Sequence, residues 1–190
     1  MLRAIIIGLC VFITLIIAFV IYKKITNISD YVKPEVNLKI TSNAFKDGGK
    51  IPVKYTGRGK DVSPQLQLDT IVPEAQTIAI IMDDLDHPLG VYNHWVIWNI
   101  PAVFDIIPEG VAKGETVSSL KNAVQGKSGY GGKHYYRGPK PPFNLSHKYV
   151  FKVYVLDAAL ELDNDAGKPE LQKAMKGRII QFGTLTGVFN

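Results

Sequence analysis

Two kinds of apolar pattern occur along this chain. One is a single unbroken run from Ala4 to Tyr22, 19 residues without a charge. As a helix rising about 1.5 Å per residue it would measure about 28 Å, close to the hydrocarbon thickness of a bilayer. The other is a series of short runs broken by Gly, Pro and Asp: Leu38 to Thr41, Ile51 to Tyr55, Leu66 to Leu68, Thr77 to Met82, His94 to Ile100 and Tyr149 to Leu156. Short runs at close spacing with turn residues between them predict an antiparallel β-sandwich. Thr77 to Met82 is continuously β-rich, which predicts a central strand, and Lys148 to Leu156 is aromatic and β-branched throughout. In the body, helical periodicity runs from Pro169 to Gln181. There Leu171, Met175 and Ile179 recur at four-residue spacing, Pro169 suits the first turn and Gly183 suits the exit. The expected fold is mainly β: a two-sheet antiparallel β-sandwich with a C-terminal helix, preceded by an N-terminal transmembrane helix.

Three segments follow from this pattern: a transmembrane anchor or signal sequence over 1–24, a linker over 25–35, and a globular body over 36–190. A cleavable signal needs a shorter apolar core followed by small residues, whereas Ala18 is followed by Phe19, Val20, Ile21 and Tyr22, so an uncleaved single-pass anchor is favoured. Cys10 follows Leu9 rather than a small residue, which argues against a lipid attachment site and for a lipid-facing thiol. Arg3 and the amino terminus on one side balance Lys23 and Lys24 on the other, so the positive-inside rule favours neither orientation. The linker carries Asn, Ser, Asp and Pro34 without apolar periodicity.

Composition narrows the class of function. The chain has 190 residues, 46 % of them hydrophobic, with 8 Phe, 9 Tyr and 2 Trp, which supplies a core and excludes disorder as the main state. One cysteine excludes a disulfide framework and a multi-cysteine zinc site. The net charge of +5 shrinks once Arg3, Lys23 and Lys24 are set aside, leaving 19 basic against 17 acidic residues, and nucleic-acid binding loses its support. Charge is nonetheless segregated along the chain. Asp61 to Ala112 holds eight acidic residues and no Lys or Arg, and Lys113 to Lys152 holds eight basic residues and only Glu115. Two solvated faces that compensate globally would account for this, as would a positive loop region framing an anion site beside carboxylates.

Candidate chemistry gathers at strand ends. Asp83, Asp84, Asp86 and His87 follow the central strand within a few residues, and close carboxylates need donors, a cation or a raised pKa to coexist. An Asx-rich turn is the plain reading, and a metal site is a weak rival because Asp-x-Asp lacks the further ligands of a calcium loop. His94 opens a run in which period-two alternation places it with Val96, Trp98 and Ile100, as a core histidine or a ligand contact. The stretch from Gly126 to Pro142 is too rich in Gly, Pro and aromatics to be a regular element, and it leads to His147 at the start of another strand. No nucleophile elbow, phosphate-binding glycine loop or His-Glu-x-x-His is present. These residues describe a small polar pocket.

The body resembles the phosphatidylethanolamine-binding protein family, also called the Raf kinase inhibitor family, in its bacterial and archaeal branch. The resemblance covers Leu38 to Asn190. It rests on Val62-Ser-Pro-Gln-Leu66, on the Asp-Pro-Asp-x-Pro motif seen as Asp84-Leu-Asp-His-Pro88, on His94 to Pro101, on the Gly138 to Pro142 loop, and on the Gly-x-His-Arg-Tyr motif seen at Leu145 to Tyr149. It implies a large antiparallel sheet against a smaller one and a pocket for phosphate-like anions and phospholipid headgroups. By position it assigns Asp84 and Asp86 to one wall, His94 and His147 to the anion, Gly138 and Pro139 to the opening and Tyr149 to the floor. Leu85, Leu145 and Lys148 depart from the family's Pro, Gly and Arg, the last exchanging a bidentate guanidinium for a point charge. His87 replaces a small rim residue, Arg178 stands where the family often has His, and Phe189 where it usually has Tyr.

The leading expectation is a non-enzymatic, membrane-tethered protein that binds a phosphate-containing small molecule or headgroup, with no cofactor and no catalytic residue. Modulation of a kinase or protease partner is implied by the resemblance alone. A hydrolase using His94 or His147 with Asp84 or Asp86, and an interaction module with a vestigial pocket, are the rivals. Imidazoles gain charge near pH 6.5, so anion affinity should rise as pH falls through about 7 to 5.5, and the nearby Asp84 and Asp86 would move that window upward.

Overall fold

A computed structural model describes residues 10–19, 21, 37–129 and 131–190. Residues 10–19 and 21 are helical and exposed, and among the described residues no helix is long and apolar enough to cross a membrane. The rest of the run expected to form the anchor, the 25–35 linker and Val36 lie outside the described residues.

The chain is mainly β, in two sheets. The smaller contains β1 (Lys39–Thr41), β3 (Leu66–Asp69) and β6 (Ile106–Ile107). The larger has seven strands: β2 (Gly49–Lys50), β10 (Ile179–Phe189), β9 (His147–Leu156), β4 (Thr77–Asp84), β5 (Tyr92–Pro101), β8 (Ala123–Gln125) and β7 (Thr116–Val117), paired in that order. All pairings between these strands are antiparallel except that of β2, which runs parallel to β10.

The central strand is where its apolar pattern puts it. β4 lies fourth of seven, and all eight of its residues are buried. Both faces of the large sheet are covered, so both alternating sets are apolar. Ile78, Ile80 and Met82 join Trp95, Ile97, Phe151 and Val153 and face Ile40, Leu66 and Leu68 of the small sheet. Ala79 and Ile81 join Val96, Trp98, Tyr154 and Phe182 and are covered by Leu171 and Met175 of the helix Lys168–Met175.

Three expectations are corrected. Ile51 to Tyr55 is no strand: Val53–Tyr55 is a 3₁₀ turn after Pro52, whose ring supplies no N–H to a ladder. The helix starts at Lys168, with Glu170 accepting from the Gly167 N–H at 3.0 Å, and Pro169 sits in its first turn. It ends at Met175 rather than Gln181, because the chain reverses through Gly177 at φ +77° and Ile179 opens β10. Gly183, expected at a helix exit, lies inside β10 instead, under the Leu38 carbonyl.

Candidate functional site

Alternation along β4 divides the acidic cluster. Asp83 points to the helix-covered face. There its Oδ2 meets Lys152 Nζ at 2.6 Å and Lys168 Nζ at 2.9 Å, and its Oδ1 accepts from Asn93 Nδ2 at 3.2 Å. Burial alone would raise the Asp83 pKa, but Lys168 and Lys152 outweigh it and hold the carboxyl below its ordinary range. Burial pushes the Lys168 ammonium down, against the pull of Asp83. This triad ties the helix to the sheet and is separate from the expected pocket.

Asp84 points to the other face, toward β9. Its Oδ2 lies 2.7 Å from His147 Nδ1 across 63 positions of sequence, with both side chains about 3 % exposed. A carboxylate only accepts, so Nδ1 carries the proton. Asp84 Oδ1 takes the Asp86 N–H at 2.9 Å, an Asx turn at the strand end. Asp86 is exposed, and its Oδ2 accepts the Lys148 N–H at 2.9 Å, pinning the loop after β4 to the start of β9.

His94 reaches the same side by a backbone device. In β4 and β5, Met82 pairs Trp95 while Asp83 pairs Asn93, so His94 is the extra residue of a β-bulge. The bulge overturns the period-two placement. Val96 and Trp98 lie on the helix side, Ile100 belongs to the opposite cluster after a second register shift, and His94 meets the Tyr149 ring edge-on at 5.3 Å. Its Nδ1 is 2.8 Å from the Arg137 carbonyl, which only accepts, so this nitrogen too holds a hydrogen. Burial lowers the His94 pKa and outweighs the Arg137 carbonyl, Asp84 and Asp83. The expected upward shift by neighbouring carboxylates is therefore reversed at His94.

Tyr149 is fully buried between the histidines, its ring stacked on His147 at 6.3 Å. Gly138 and Pro139 follow Arg137 and seat the loop on residues 55–61. The Gly138 N–H donates to Asp61 Oδ1 at 2.6 Å, and the Pro139 carbonyl accepts from Gly57 N at 2.9 Å. A Cβ at Gly138 would strike the Tyr55 carbonyl, which accounts for glycine there. The structure thus brings Asp84, His94, His147 and Tyr149 into one cluster, and attaches Asp86, Gly138 and Pro139 to the loops around it.

Sequence reading missed Tyr92, whose ring lies 5.7 Å from His94 and 4.7 Å from His87, because the bulge hides its face. It also missed Arg137, whose backbone carbonyl holds His94, and Asp61, whose carboxylate holds the Gly138 N–H. Among the departures, Phe189 pairs in register with His147, and Arg178 stands 4.0 Å from Asp157 near the other end of β9. The cleft lined by Lys113, Glu115, Lys133 and His134 shares no residue with this cluster.

The arrangement matches known proteins. The family model for phosphatidylethanolamine-binding protein matches residues 41–190. A UPF0098 protein of Pyrococcus abyssi is 46 % identical over 149 residues, covering 78 % of this chain and 83 % of that one. A UPF0098 protein of Methanothermobacter thermautotrophicus is 38 % identical over 81 % of this chain and 98 % of its own. The crystal structure of a phosphatidylethanolamine-binding protein homolog from Chlamydia trachomatis superposes with a TM-score of 0.71 at 32 % identity, covering 80 % of this chain and 97 % of that one. Escherichia coli YbcL, described as a member of the mammalian family, shares the fold with a TM-score of 0.73 at 23 % identity, over 82 % of this chain and 99 % of its own. With the match spanning the sandwich and the cluster at its end, the chain belongs to the phosphatidylethanolamine-binding protein family.

Proposed function

We propose that the chain is a non-catalytic binding protein whose cluster of Asp84, His94, His147 and Tyr149 takes a phosphate-bearing ligand, free or as a phospholipid headgroup, and that the apolar N-terminal run tethers it to a membrane. The observation that carries this is the buried 2.7 Å contact of His147 with Asp84, set beside His94 and Tyr149 at the end of three adjacent strands. Both imidazoles have Nδ1 committed, so Nε2 is the nitrogen that would meet a ligand. A neutral ring accepts there and a charged ring donates. Lowered by burial, His94 favours a ligand that brings a hydrogen, such as a protonated phosphoryl oxygen or an ammonium, and His147, held by Asp84, presents Nε2 to a second oxygen of the same ligand. A kinase or protease partner is proposed on family analogy alone.

The test is a thermal-shift panel on the full chain with inorganic phosphate, phosphoethanolamine and nucleotides between pH 5 and 8. Stabilisation by at least one phosphate-bearing compound is expected, and His147→Gln should abolish it. No shift at millimolar concentration overturns the reading, and turnover of an ester panel would replace it with the hydrolase.

A further inference from the structure

The cleft that stands apart from the cluster lies against the free end of the large sheet. β7 is the last strand there, and its Thr116 pairs Val124 of β8. The Glu115 carbonyl accepts the Gln125 N–H at 2.7 Å and the Val117 carbonyl accepts the Asn122 N–H at 3.0 Å, so these two residues turn their backbone groups toward β8. By strand alternation the N–H and C=O of Thr116 point the other way, and Thr116 is exposed on the wall of the cleft. The cleft measures about 640 Å³.

Its walls are tied down. Gln125 is fully buried, with its Oε1 accepting from Trp95 Nε1 at 2.8 Å and its Nε2 donating to the Ala112 and Gly114 carbonyls at 2.8 and 2.7 Å. Residues 132–135 form the opposite wall. The Gly114 N–H donates to the His134 carbonyl at 3.1 Å, and His134 Nδ1 lies 2.8 Å from the Gln125 carbonyl, which only accepts. This segment covers the sheet edge at Gly114 and leaves Thr116 exposed. Lysine flanks the opening. Lys113 Nζ is held 4.7 Å over the Tyr135 ring, and Lys133 is exposed on the facing wall, with Glu115 as the one acid of the lining. Asp165, which approaches His134, is engaged by Lys127 at 2.8 Å.

We propose that this cleft takes an extended acidic peptide of a protein partner, which adds to the edge of β7 through Thr116 and sets its carboxylates against Lys113 and Lys133. An outward backbone donor and acceptor select an extended chain, and two ammoniums select acidic side chains. A small anion would use the lysines and leave the Thr116 pair idle. The two-residue length of β7 restricts the pairing to a short segment and keeps the edge from templating further sheet growth. Because the cleft shares no residue with the binding cluster, this inference and the phosphate reading can fail separately.

The full chain in detergent micelles is titrated with a fluorescein-labelled peptide of alternating Glu and Val, followed by anisotropy. Saturable binding is expected, weakened about threefold by each of Lys113→Gln and Lys133→Gln. The same peptide with Lys in place of Glu should not bind. Thr116→Pro removes the outward N–H and no bond to β8, and should weaken binding about tenfold, whereas Thr116→Val keeps that N–H and should bind as the parent does. Peptides N-methylated at every second residue, in both phases, probe the same pairing on the unaltered chain, so the result does not depend on how Thr116→Pro folds. One phase should lose affinity, and hydrogen exchange at the Thr116 amide should slow when the parent peptide is bound. Affinity that is equal for the parent and both methylated peptides overturns the proposal, as does full displacement by citrate at the peptide's own concentration, which would make the cleft a small-anion site. No binding at millimolar peptide overturns it as well.

Discussion

Between Asp83 and Asp84 the β4 backbone turns two carboxylates to opposite faces, and each takes a different kind of donor, two lysine ammoniums for Asp83 and an imidazole N–H for Asp84. Asp83 holds two lysines in a setting where removing one partner of a buried ion group strands the others. Asp83→Asn should therefore cost about 3 kcal/mol in chemical denaturation, and a cost below about 1 kcal/mol would mean that the lysines escape to solvent. Because its folded pKa is lowered, the stabilisation from Asp83 is present above the ordinary carboxylate range near 4 and is lost only as pH falls through the lowered value. His94 has the same sign in a higher window. Its folded pKa lies below about 6.5, so the unfolded chain takes the proton first, and stability declines as pH drops from about 6.5 toward the folded value. His87, also lowered by burial, adds to the decline. Melting temperatures from pH 7.5 to 5 should fall less steeply in His94→Gln than in the parent chain, and parallel slopes would remove His94 as a source.

At the scale of elements, the two sheets meet where the Asn37 and Leu38 N–H groups both point at the Phe182 carbonyl, and Gly183 makes room for the Leu38 backbone. A methyl there has backbone as its neighbour and cannot be relieved by a rotamer change, so Gly183→Ala should lower stability by about 2 kcal/mol or more. An unchanged melt would show that β1 can shift freely over β10. β10 was also the element least legible in the sequence, although it is the longest strand. Gly183, Thr184, Thr186 and Gly187 interrupt its apolar pattern, and Ile179 continues the four-residue spacing of Leu171 and Met175, so helical periodicity ran past Gly177 into the strand. β4 and β9 were legible because two covered faces demand unbroken apolar and β-branched runs. The Asp84 and His147 part of the cluster was legible for the same reason, since those residues sit at ends of readable strands, whereas Tyr149 was assigned through the family resemblance alone. His94 and Tyr92 were placed by a bulge, which costs one residue of register and leaves no mark in hydrophobic alternation.

Across the whole molecule, the acidic and basic segments read from the sequence are folded against each other. The acidic and basic segments do meet at Asp83 and Lys152, while Lys140 and Lys148 stay at the surface of the end that carries the cluster. Among the described residues, both core clusters are built from Leu38 onward, and the cluster residues are held by contacts within 55–149. Deleting Met1 to Lys24 should therefore leave a soluble monomer whose affinity for phosphate or phosphoethanolamine, measured by calorimetry, equals that of the full chain. A fall of tenfold or more would mean that the N-terminal segment contributes to the site. If affinity is unchanged, the tether acts through position alone, raising the local concentration of headgroups around a weak site. Mass spectrometry of the protein isolated from its native membrane then decides whether that effect operates. An intact N-terminus keeps the body within a linker's reach of the bilayer, whereas a mature start between residues 23 and 30 would remove the tether.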